Sequence, residues 1–422
     1  MKGTYLKTWV FCVLAIRSLF DGIDEYLIAA SAWYYVKSLG GDKTFFGIVM
    51  TAYQFSALPF SPIIGRLADK FGHVKFIIVV SLFLRATGYV IYSIPVSAYF
   101  PLVGRLLAGI SSGSGGVFLG QVSLYTPKRS RAQFFIVLEV LFTLGTLLGP
   151  TVGVFLTFNV NILGWKIDAG NSPGIVIALV WFVIFLISLW LPKEFGTVMV
   201  KDDEDEGDDD DPATRDWSKR TKYISYSAIF FIFYLVILGL FFSNTVAIYV
   251  PLLAENHFHL QFIHVKMLFL VCSLFSMVLF IVFYIAAKYY HETQLLIVSM
   301  IMQVSAIFLS TFIAFSWDSG FGVYGGYILI PYICLGLPYL SYSLGSSLLS
   351  KITHPKDAAF YQSSSLAALH VGFLLGGLLS SNIFSKTSLL CYCLVQFLCW
   401  ALSAVWFVFQ YPYLRNAGVD VI

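Results

Sequence analysis

The sequence predicts an all-α polytopic membrane protein, with twelve transmembrane helices arranged in two pseudo-symmetric six-helix bundles. Hydrophobic residues make up 58% of the chain and charged residues only 12%, whereas a soluble domain carries about 25% charged residues. The apolar residues are grouped in segments near the ~20 residues that cross a ~30 Å hydrocarbon layer. A single long polar segment divides these apolar segments into two sets of six.

Each predicted span is an apolar segment bounded by short polar loops. The spans are 8–36, 44–64, 76–94, 99–125, 132–158, 174–191, 225–252, 265–287, 294–315, 321–350, 359–384 and 388–410. If both termini are cytosolic, eighteen of the 26 Lys and Arg residues lie in cytosolic segments and five on the opposite face. Because cytosolic loops of membrane proteins are enriched in Lys and Arg, this topology is predicted.

The polar segment at 193–222 is predicted to be a linker between two domains. Nine of the 23 acidic residues fall in its run KDDEDEGDDDD. Such a composition buries too little apolar surface to fold, so we expect a hydrated, disordered cytosolic connector. The predicted domains are therefore an N-terminal six-helix bundle at 1–192 and a C-terminal one at 223–422.

The two halves contain related segments. YTPKRSRAQFF followed by GTLLGP in the first half corresponds to ITHPKDAAFYQ followed by GFLLGG in the second. Gly145 and Gly149 thereby correspond to Gly372 and Gly376. Repeats related by an axis along the membrane normal are found in one transporter architecture. Glycines four residues apart also allow helices to pack closely, so a packing role is the alternative.

The loop after the second span carries the most specific motif. GRLADKFGHVK at 65–75 resembles the loop signature of the major facilitator superfamily. The matching residues are Gly65, Leu67, Asp69, Lys70 and Gly72, and the departures are His73 and Val74. The resemblance implies that Gly65 lets the second span pack against the eleventh. It also implies that Asp69 faces the N-terminus of the eleventh span, where an anion is favoured, and so locks the outward-facing state.

Three further segments extend this resemblance. RLLAG in the fourth span is similar to the family's R-x-x-x-G element, with Arg105 and Gly109 matching. GTLLGPTVG in the fifth span is similar to an element found mainly in antiporters, and the matching residues are Gly145, Gly149, Pro150 and Gly153. SSLLSKITHPKDAAFYQ resembles the endolysosomal branch that includes the ceroid-lipofuscinosis membrane protein. The likeness of GTLLGPTVG implies antiport. The likeness of SSLLSKITHPKDAAFYQ implies an endolysosomal or vacuolar membrane rather than the plasma membrane.

The first span is apolar except for four ionisable residues, Arg17, Asp21, Asp24 and Glu25. At 3.6 residues per turn they lie within an arc of roughly 100° on one face of the helix. Each intramembrane charge costs about 2.5 kcal/mol or more, so these groups should face partners or water. We therefore expect this face to line a central cavity.

The depths of the charged groups along their helices predict two ion clusters. These are Arg17 with Glu139 and Asp21, and Arg105 with Asp24 or Glu25. Together with Arg85, three intramembrane arginines stand against four carboxylates. The remaining carboxylate should hold a proton at neutral pH or bind a cation, which would allow proton coupling. A fixed salt-bridge network is the alternative, and Arg85 is expected to be structural.

The spans of the second half carry almost no charge. His370 in the eleventh span is the lone titratable group, and it is assigned either to the transport pathway or to helix packing. Tyrosines, hydroxyls and amides are frequent in the seventh and tenth spans. We therefore expect ion chemistry in the first half and recognition of solute shape in the second.

The sequence indicates no nucleotide-binding loop, metal-ligand spacing or nucleophile constellation. An enzyme is therefore not expected, and neither is a cofactor, a metal site or a nucleic-acid partner. The predicted function is secondary active transport of a small organic solute by alternating access, with proton-coupled antiport. Its partners would be the solute, protons and the lipid bilayer. The alternatives are a passive anion uniporter or channel using the arginines, and a non-transporting receptor or scaffold using the acidic linker.

Overall fold

The computed structural model describes residues 8–156, 160–162, 165–192, 225–256, 258, 262–317, 324–336, 340–380 and 385–416. In these ranges the first half forms α1 (Thr8–Ser38), α2 (Lys43–Phe71), α3 (Val74–Tyr92), α4 (Tyr99–Ile110), α5 (Gly113–Tyr125), α6 (Arg131–Phe155) and α7 (Ser172–Ser188). The second half forms α8 (Tyr226–Asn256), α9 (Phe262–Ala286), α10 (Glu292–Phe315), α11 (Tyr324–Gly336), α12 (Ser341–Ile352), α13 (Ala358–Ser380) and α14 (Lys386–Asn416). Two short antiparallel strands, β1 (Val160–Ile162) and β2 (Trp165–Ile167), connect α6 to α7. The predicted linker at 193–222 lies outside the described residues.

The helices confirm the predicted membrane class. In the described part of the chain, nine segments are helical, long and apolar enough to cross a bilayer. α4 and α5 together make one of these segments, and α11 and α12 make another. Two further apolar helical stretches, Ser172–Ser188 and Leu270–Ala286, are shorter. α1 carries five charged residues, including Lys37 in its last turn, and is not among the nine. The exact number of twelve spans therefore stays a prediction.

The predicted fourth and tenth spans are both interrupted. α4 ends at Ile110 and α5 begins at Gly113, at the glycine- and serine-rich segment SSGSGG. Glycine has a low helix propensity, and serine side chains compete for backbone hydrogen bonds. Ser111 Oγ does so by donating to the Ala108 carbonyl. The break places several small side chains near the middle of the molecule.

Close helix packing follows the same pattern in the two halves. α6 lies against α1, and α13 lies against α8. A Cβ at Gly149 would lie 2.9 Å from a carbonyl oxygen of α1, and a Cβ at Gly376 would lie 3.0 Å from a carbonyl oxygen of α8. Gly145 and Gly372 approach the same two helices as closely. The predicted correspondence between these glycines is confirmed, and their role in the structure is packing.

The two halves meet at one end of the molecule, which we call the base. It is the end at which α1 begins, α2 is followed by α3, and α12 is followed by α13. There α13 packs against α2 and α5, while α6 packs against α9 and α12. Arg131 donates hydrogen bonds to the Ser350 carbonyl at 3.1 Å and to its Oγ at 3.0 Å. Arg66 and Asp357 form an exposed ion pair at the same end.

The loop motif lies at the base in the expected geometry. The Asp69 carboxylate accepts hydrogen bonds from the backbone N–H groups of Ala359 at 3.1 Å and Phe360 at 2.7 Å. These belong to the first turn of α13, whose N–H groups have no partner within the helix. A Cβ at Gly65 would lie 2.6 Å from the Ala359 carbonyl oxygen. The contacts expected for Gly65 and Asp69 are therefore confirmed, and the locking of the outward-facing state stays a prediction.

The other two residues of the loop motif act locally. Gly72 ends α2 with a φ of 64°, and its N–H donates to the Ala68 carbonyl oxygen. This left-handed conformation is accessible to glycine at little cost. The Lys70 ammonium lies 5.7 Å from the centre of the Phe71 ring. In the described structure these residues shape the end of α2.

Candidate functional site: a charged cavity between the halves

A cavity of about 1010 Å³ lies between the two halves. It begins about two helical turns along α13 from the base, because Leu366 is its first lining residue on that helix. The ionisable and larger polar lining residues are Arg17, Asp21, Tyr53, Gln54, Arg85, Glu139, Tyr342 and His370. Most of the remaining wall is apolar, including Phe118, Phe135, Phe142, Leu369 and Phe373. The cavity therefore combines a few charges with a large apolar surface, as ligand pockets commonly do.

Arg85 on α3 is the centre of the charge network. Its Nη1 lies 2.5 Å from Asp21 Oδ1, and its Nη2 lies 2.7 Å from Asp24 Oδ2. Its Nε also donates to Asp24 Oδ2, at 3.2 Å. Arg85 is 3% exposed and Asp24 only 1%. The Asp24 carboxylate and the Arg85 guanidinium are thus held in a nearly dry environment, where ionic hydrogen bonds are strong and unpaired charges are costly.

The aromatic side chains of Trp181 and Tyr53 pack against this charge network. The Trp181 indole N–H donates to Asp24 Oδ2 at 3.0 Å. The Arg85 guanidinium carbon lies 3.8 Å from the centre of the Trp181 ring and 5.7 Å from that of Tyr53. Such cation–π contacts stabilise a desolvated guanidinium. Asp24 is therefore sealed, while Asp21 remains at the cavity wall.

Arg17 on α1 is held less tightly than Arg85. Its Nη2 lies 3.7 Å from Asp21 Oδ2 and donates a 3.3 Å hydrogen bond to Ser114 Oγ. Its guanidinium carbon lies 5.0 Å from the centre of the Phe118 ring. A Cβ at Gly115 would lie 3.2 Å from Arg17 Nη2, so the glycine provides space for the guanidinium. Asp21 consequently bridges two arginines, and its side chain is 23% exposed.

The structure corrects part of the predicted pairing. The Arg17–Asp21 pair is confirmed, but the contacts that the structure gives for Arg17 do not include Glu139. The prediction that Arg105 pairs with Asp24 is wrong, because Asp24 is bound by Arg85. Depth along a helix shows which groups are level, but not which neighbouring helix faces them.

Arg105 instead lies against α2. It donates to the Met50 carbonyl oxygen at 3.3 Å, and its guanidinium carbon lies 5.0 Å from the centre of the Tyr53 ring. The Glu25 side chain lies outside the described residues. The expectation of a purely structural Arg85 is also incomplete, since this side chain lines the cavity.

Glu139 and His370 bring a second carboxylate and an imidazole to the cavity. Glu139 on α6 is buried and lines it beside Tyr342 of α12. His370 Nε2 lies 3.0 Å from Ser112 Oγ, and its ring meets the Tyr53 ring edge-on with a centroid separation of 5.9 Å. His370 thereby joins the second half to the site, as its assignment to the pathway requires.

Gly109 explains how Tyr53 comes to contact three ionisable side chains. A Cβ at Gly109 would collide with Ser56 Oγ and the Tyr53 carbonyl oxygen, so α4 and α2 are in close contact there. Ser56 Oγ also donates to the Leu106 carbonyl at 2.8 Å. The two other residues of the antiporter-like motif, Pro150 and Gly153, lie in the last two turns of α6.

Sequence reasoning missed several residues of the site. Trp181 lies in a helix that is apolar throughout, so no pattern distinguishes it. Ser112 and Ser114 belong to the glycine- and serine-rich segment between α4 and α5, which the sequence alone did not identify as part of the site. Tyr53 and Gln54 are adjacent polar residues inside an apolar span, and this pattern could have identified them as candidates for the site.

The chain has relatives among bacterial resistance proteins. It is 30% identical over 151 residues to the tetracycline resistance protein of class H from Pasteurella multocida, a match covering 36% of this chain and 35% of that protein. It is 29% identical over 124 residues to the quinolone resistance protein NorA from Staphylococcus aureus, covering 29% and 31%. These matches span about a third of the relatives' length.

Solved structures resemble the fold over nearly the whole chain. The human organic anion transporter MFSD10 (TETRAN) gives a TM-score of 0.64 at 18% identity, covering 93% of this chain and 98% of that one. The proton:xylose symporter XylE gives a TM-score of 0.70 at 12% identity, covering 96% and 95%. The family model described as Major Facilitator Superfamily matches residues 14–342. The chain therefore belongs to the Major Facilitator Superfamily.

Proposed function

We propose that this membrane transporter moves a small organic solute by alternating access in exchange for protons. The observation that carries the proposal is the position of the Asp21 carboxylate. It lies between the guanidinium groups of Arg17 and Arg85, at the wall of a cavity lined by both halves. A proton and a solute arriving through the cavity reach the same group.

Protonation of Asp21 changes the charge balance of the whole network. The neutral acid no longer attracts Arg17 and Arg85 as an anion, so one buried cation loses its partner. A solute group that binds the carboxylate excludes the proton from it, and the reverse also holds. Antiport requires such alternate occupancy. The likeness of GTLLGPTVG to an element found mainly in antiporters also supports antiport.

The contacts between the two halves at the base are the ones that would break and re-form as the cavity opens and closes at that end. Asp69 caps α13, and α13 packs on α2 and α5. A conformation open at this end would have to break these contacts, as in a rigid-body movement of one half against the other. The distribution of Lys and Arg assigns the base to the cytosol. The endolysosomal or vacuolar location stays a prediction.

The relatives suggest which solutes to test first. Two of them are named for resistance to tetracycline and to quinolones, both of which are aromatic molecules with ionisable groups. The cavity offers apolar aromatic side chains such as Phe118, Phe135 and Phe142 next to its charges. A solute with a flat apolar body and an ionisable group fits this lining.

The experiment uses the full chain in proteoliposomes that enclose a pH-sensitive dye. We expect tetracycline or norfloxacin added outside to drive proton movement in the wild type, and Asp21→Asn to abolish it. Asp42→Asn is the matched control, because Asp42 caps α2 through a 2.7 Å bond from the Phe45 N–H and asparagine caps equally well. Solute-driven proton movement that persists in Asp21→Asn would refute the coupling role.

A passive anion pathway is the second candidate function. It is favoured by Arg17, whose Nε has no hydrogen-bond partner among the described residues although it is buried. The same proteoliposomes distinguish the two functions, because a passive pathway gives anion-driven swelling without saturation or proton movement. A receptor role for the acidic run requires that deletion of 201–211 abolishes function while Asp21→Asn does not.

A further inference from the structure

A second compartment of about 660 Å³ adjoins the charged cavity. The two share Phe142, Leu369 and Phe373 in their walls. The polar residues that line the second compartment are Tyr26, Thr143, Thr146, Ser243, Asn244, Ser273 and Ser276. Every described lining residue is uncharged. The charges of the site are therefore confined to the first cavity, and the polar groups that line the second compartment are uncharged hydroxyl and amide groups.

We propose that this compartment is a neutral specificity subsite, which binds uncharged hydroxyl, carbonyl or amide groups of the transported solute. The inference rests on the proposed transport function. The ionisable group of the solute would lie in the charged cavity, and its uncharged polar part would lie beyond Phe142 and Phe373. The transported solute is then an elongated molecule with chemically different ends.

Two hydroxyl groups in the compartment are available for a ligand. Thr143 Oγ1 on α6 is inaccessible to solvent and has no hydrogen-bond partner in the described part of the structure. Ser273 on α9 is 9% exposed, and the described contacts include no hydrogen bond from its hydroxyl. Because buried hydroxyls are almost always hydrogen-bonded, the unpartnered Thr143 hydroxyl indicates that a group other than the described residues satisfies it, and Ser273 lines the same compartment.

Neighbouring polar side chains do not share this property. Thr146 Oγ1 donates to the Thr143 carbonyl at 2.7 Å, and Ser276 Oγ donates to the Cys272 carbonyl at 2.9 Å. Asn244 Nδ2 donates to the Phe373 carbonyl at 2.8 Å. The available hydroxyls are therefore particular positions in the wall and not a general feature of a serine-rich helix.

The two hydroxyls also belong to different halves of the molecule. Thr143 lies on α6 of the first half and Ser273 lies on α9 of the second. A solute that binds both would join the halves on the side of the cavity away from the base. The compartment offers hydrogen bonds without charge, so it discriminates between solutes by the position of their uncharged polar groups.

The test measures binding, independently of proton movement, with the full chain in lipid nanodiscs. Equilibrium dialysis with radiolabelled tetracycline is compared with tetraphenylphosphonium, an aromatic ion that has no hydrogen-bonding group. We expect Thr143→Val and Ser273→Ala each to weaken tetracycline binding by about 3- to 10-fold. Both variants should leave the affinity for tetraphenylphosphonium within about twofold of the wild type, because no hydrogen bond is lost.

Thr87→Val is the matched control. Thr87 is exposed on α3, and its hydroxyl donates to the Phe83 carbonyl outside both cavities. The proposal is overturned if the two variants bind tetracycline as the wild type does, if they weaken both probes equally, or if the wild type binds neither probe. If hydroxyl-dependent binding is observed while solute-driven proton movement is absent, the subsite stands and the proton-coupled function fails.

Discussion

Replacing Arg85 should destabilise the protein far more than replacing an exposed arginine. Arg85→Met leaves the carboxylates of Asp21 and Asp24 without their main cation, 2.5 and 2.7 Å away in the native structure. Breaking a buried ion pair on one side costs about 3–5 kcal/mol. For a domain of this size each kcal/mol lowers the melting temperature by about 2–4 °C, so we expect the melting temperature of the purified protein to decrease by roughly 6–20 °C.

The control and the double variant decide whether the charge network is responsible. Arg66→Gln removes the exposed pair with Asp357 and should cost about 1 kcal/mol or less. Combining Arg85→Met with Asp24→Asn should recover part of the loss, because one of the uncompensated carboxylates is then neutral. The reasoning is refuted if Arg85→Met is no more destabilising than Arg66→Gln, or if the double variant shows a simple sum of the two losses.

Two further variants test packing and the base. Gly145→Leu forces a side chain against the backbone of α1 and should lower stability by about 3 kcal/mol. Gly47→Ala has open space around it and should leave stability unchanged or raise it by up to about 1 kcal/mol, because alanine favours a helix more than glycine does. Equal melting temperatures of the two variants would contradict the packing role. Asp69→Ala removes both hydrogen bonds to the first turn of α13. A cysteine introduced at the buried position by Ser363→Cys should then react with maleimide at least threefold faster than the same cysteine does when Asp69 is present. An unchanged rate would show that other contacts hold the base closed.

Much of the architecture is readable in the sequence, because bilayer crossing imposes strong local constraints. Apolar length predicts helices, and nearly all of the predicted spans coincide with helices in the described residues. The repeat that relates Gly145 to Gly372 predicts equivalent close contacts, and the structure has them. The motif containing Gly65 and Asp69 correctly places the end of α2 against the start of α13.

The same reasoning succeeded for the site only where a single helix contains the information. The spacing of Arg17 and Asp21 predicts that they share a face of α1 and can pair, and they do. The 3.6-residue period also predicts that this face borders a cavity, which is correct for Arg17 and Asp21 but not for Asp24, which is sealed against Arg85 and Trp181. These conclusions need no knowledge of the neighbouring helices.

The pairing across helices was decided by tertiary structure alone. Arg85 and Arg105 are both level with parts of α1, yet Asp24 is bound by Arg85 and by Trp181 of α7. The neutral compartment likewise exists only because Thr143 and Ser273, 130 residues apart in the chain, line the same space. Composition and periodicity determined that the chain is helical, where it is apolar and which face of α1 is charged. Which distant side chains meet was determined by the packing of whole helices, which depends on all their contacts together and leaves no local trace in the sequence.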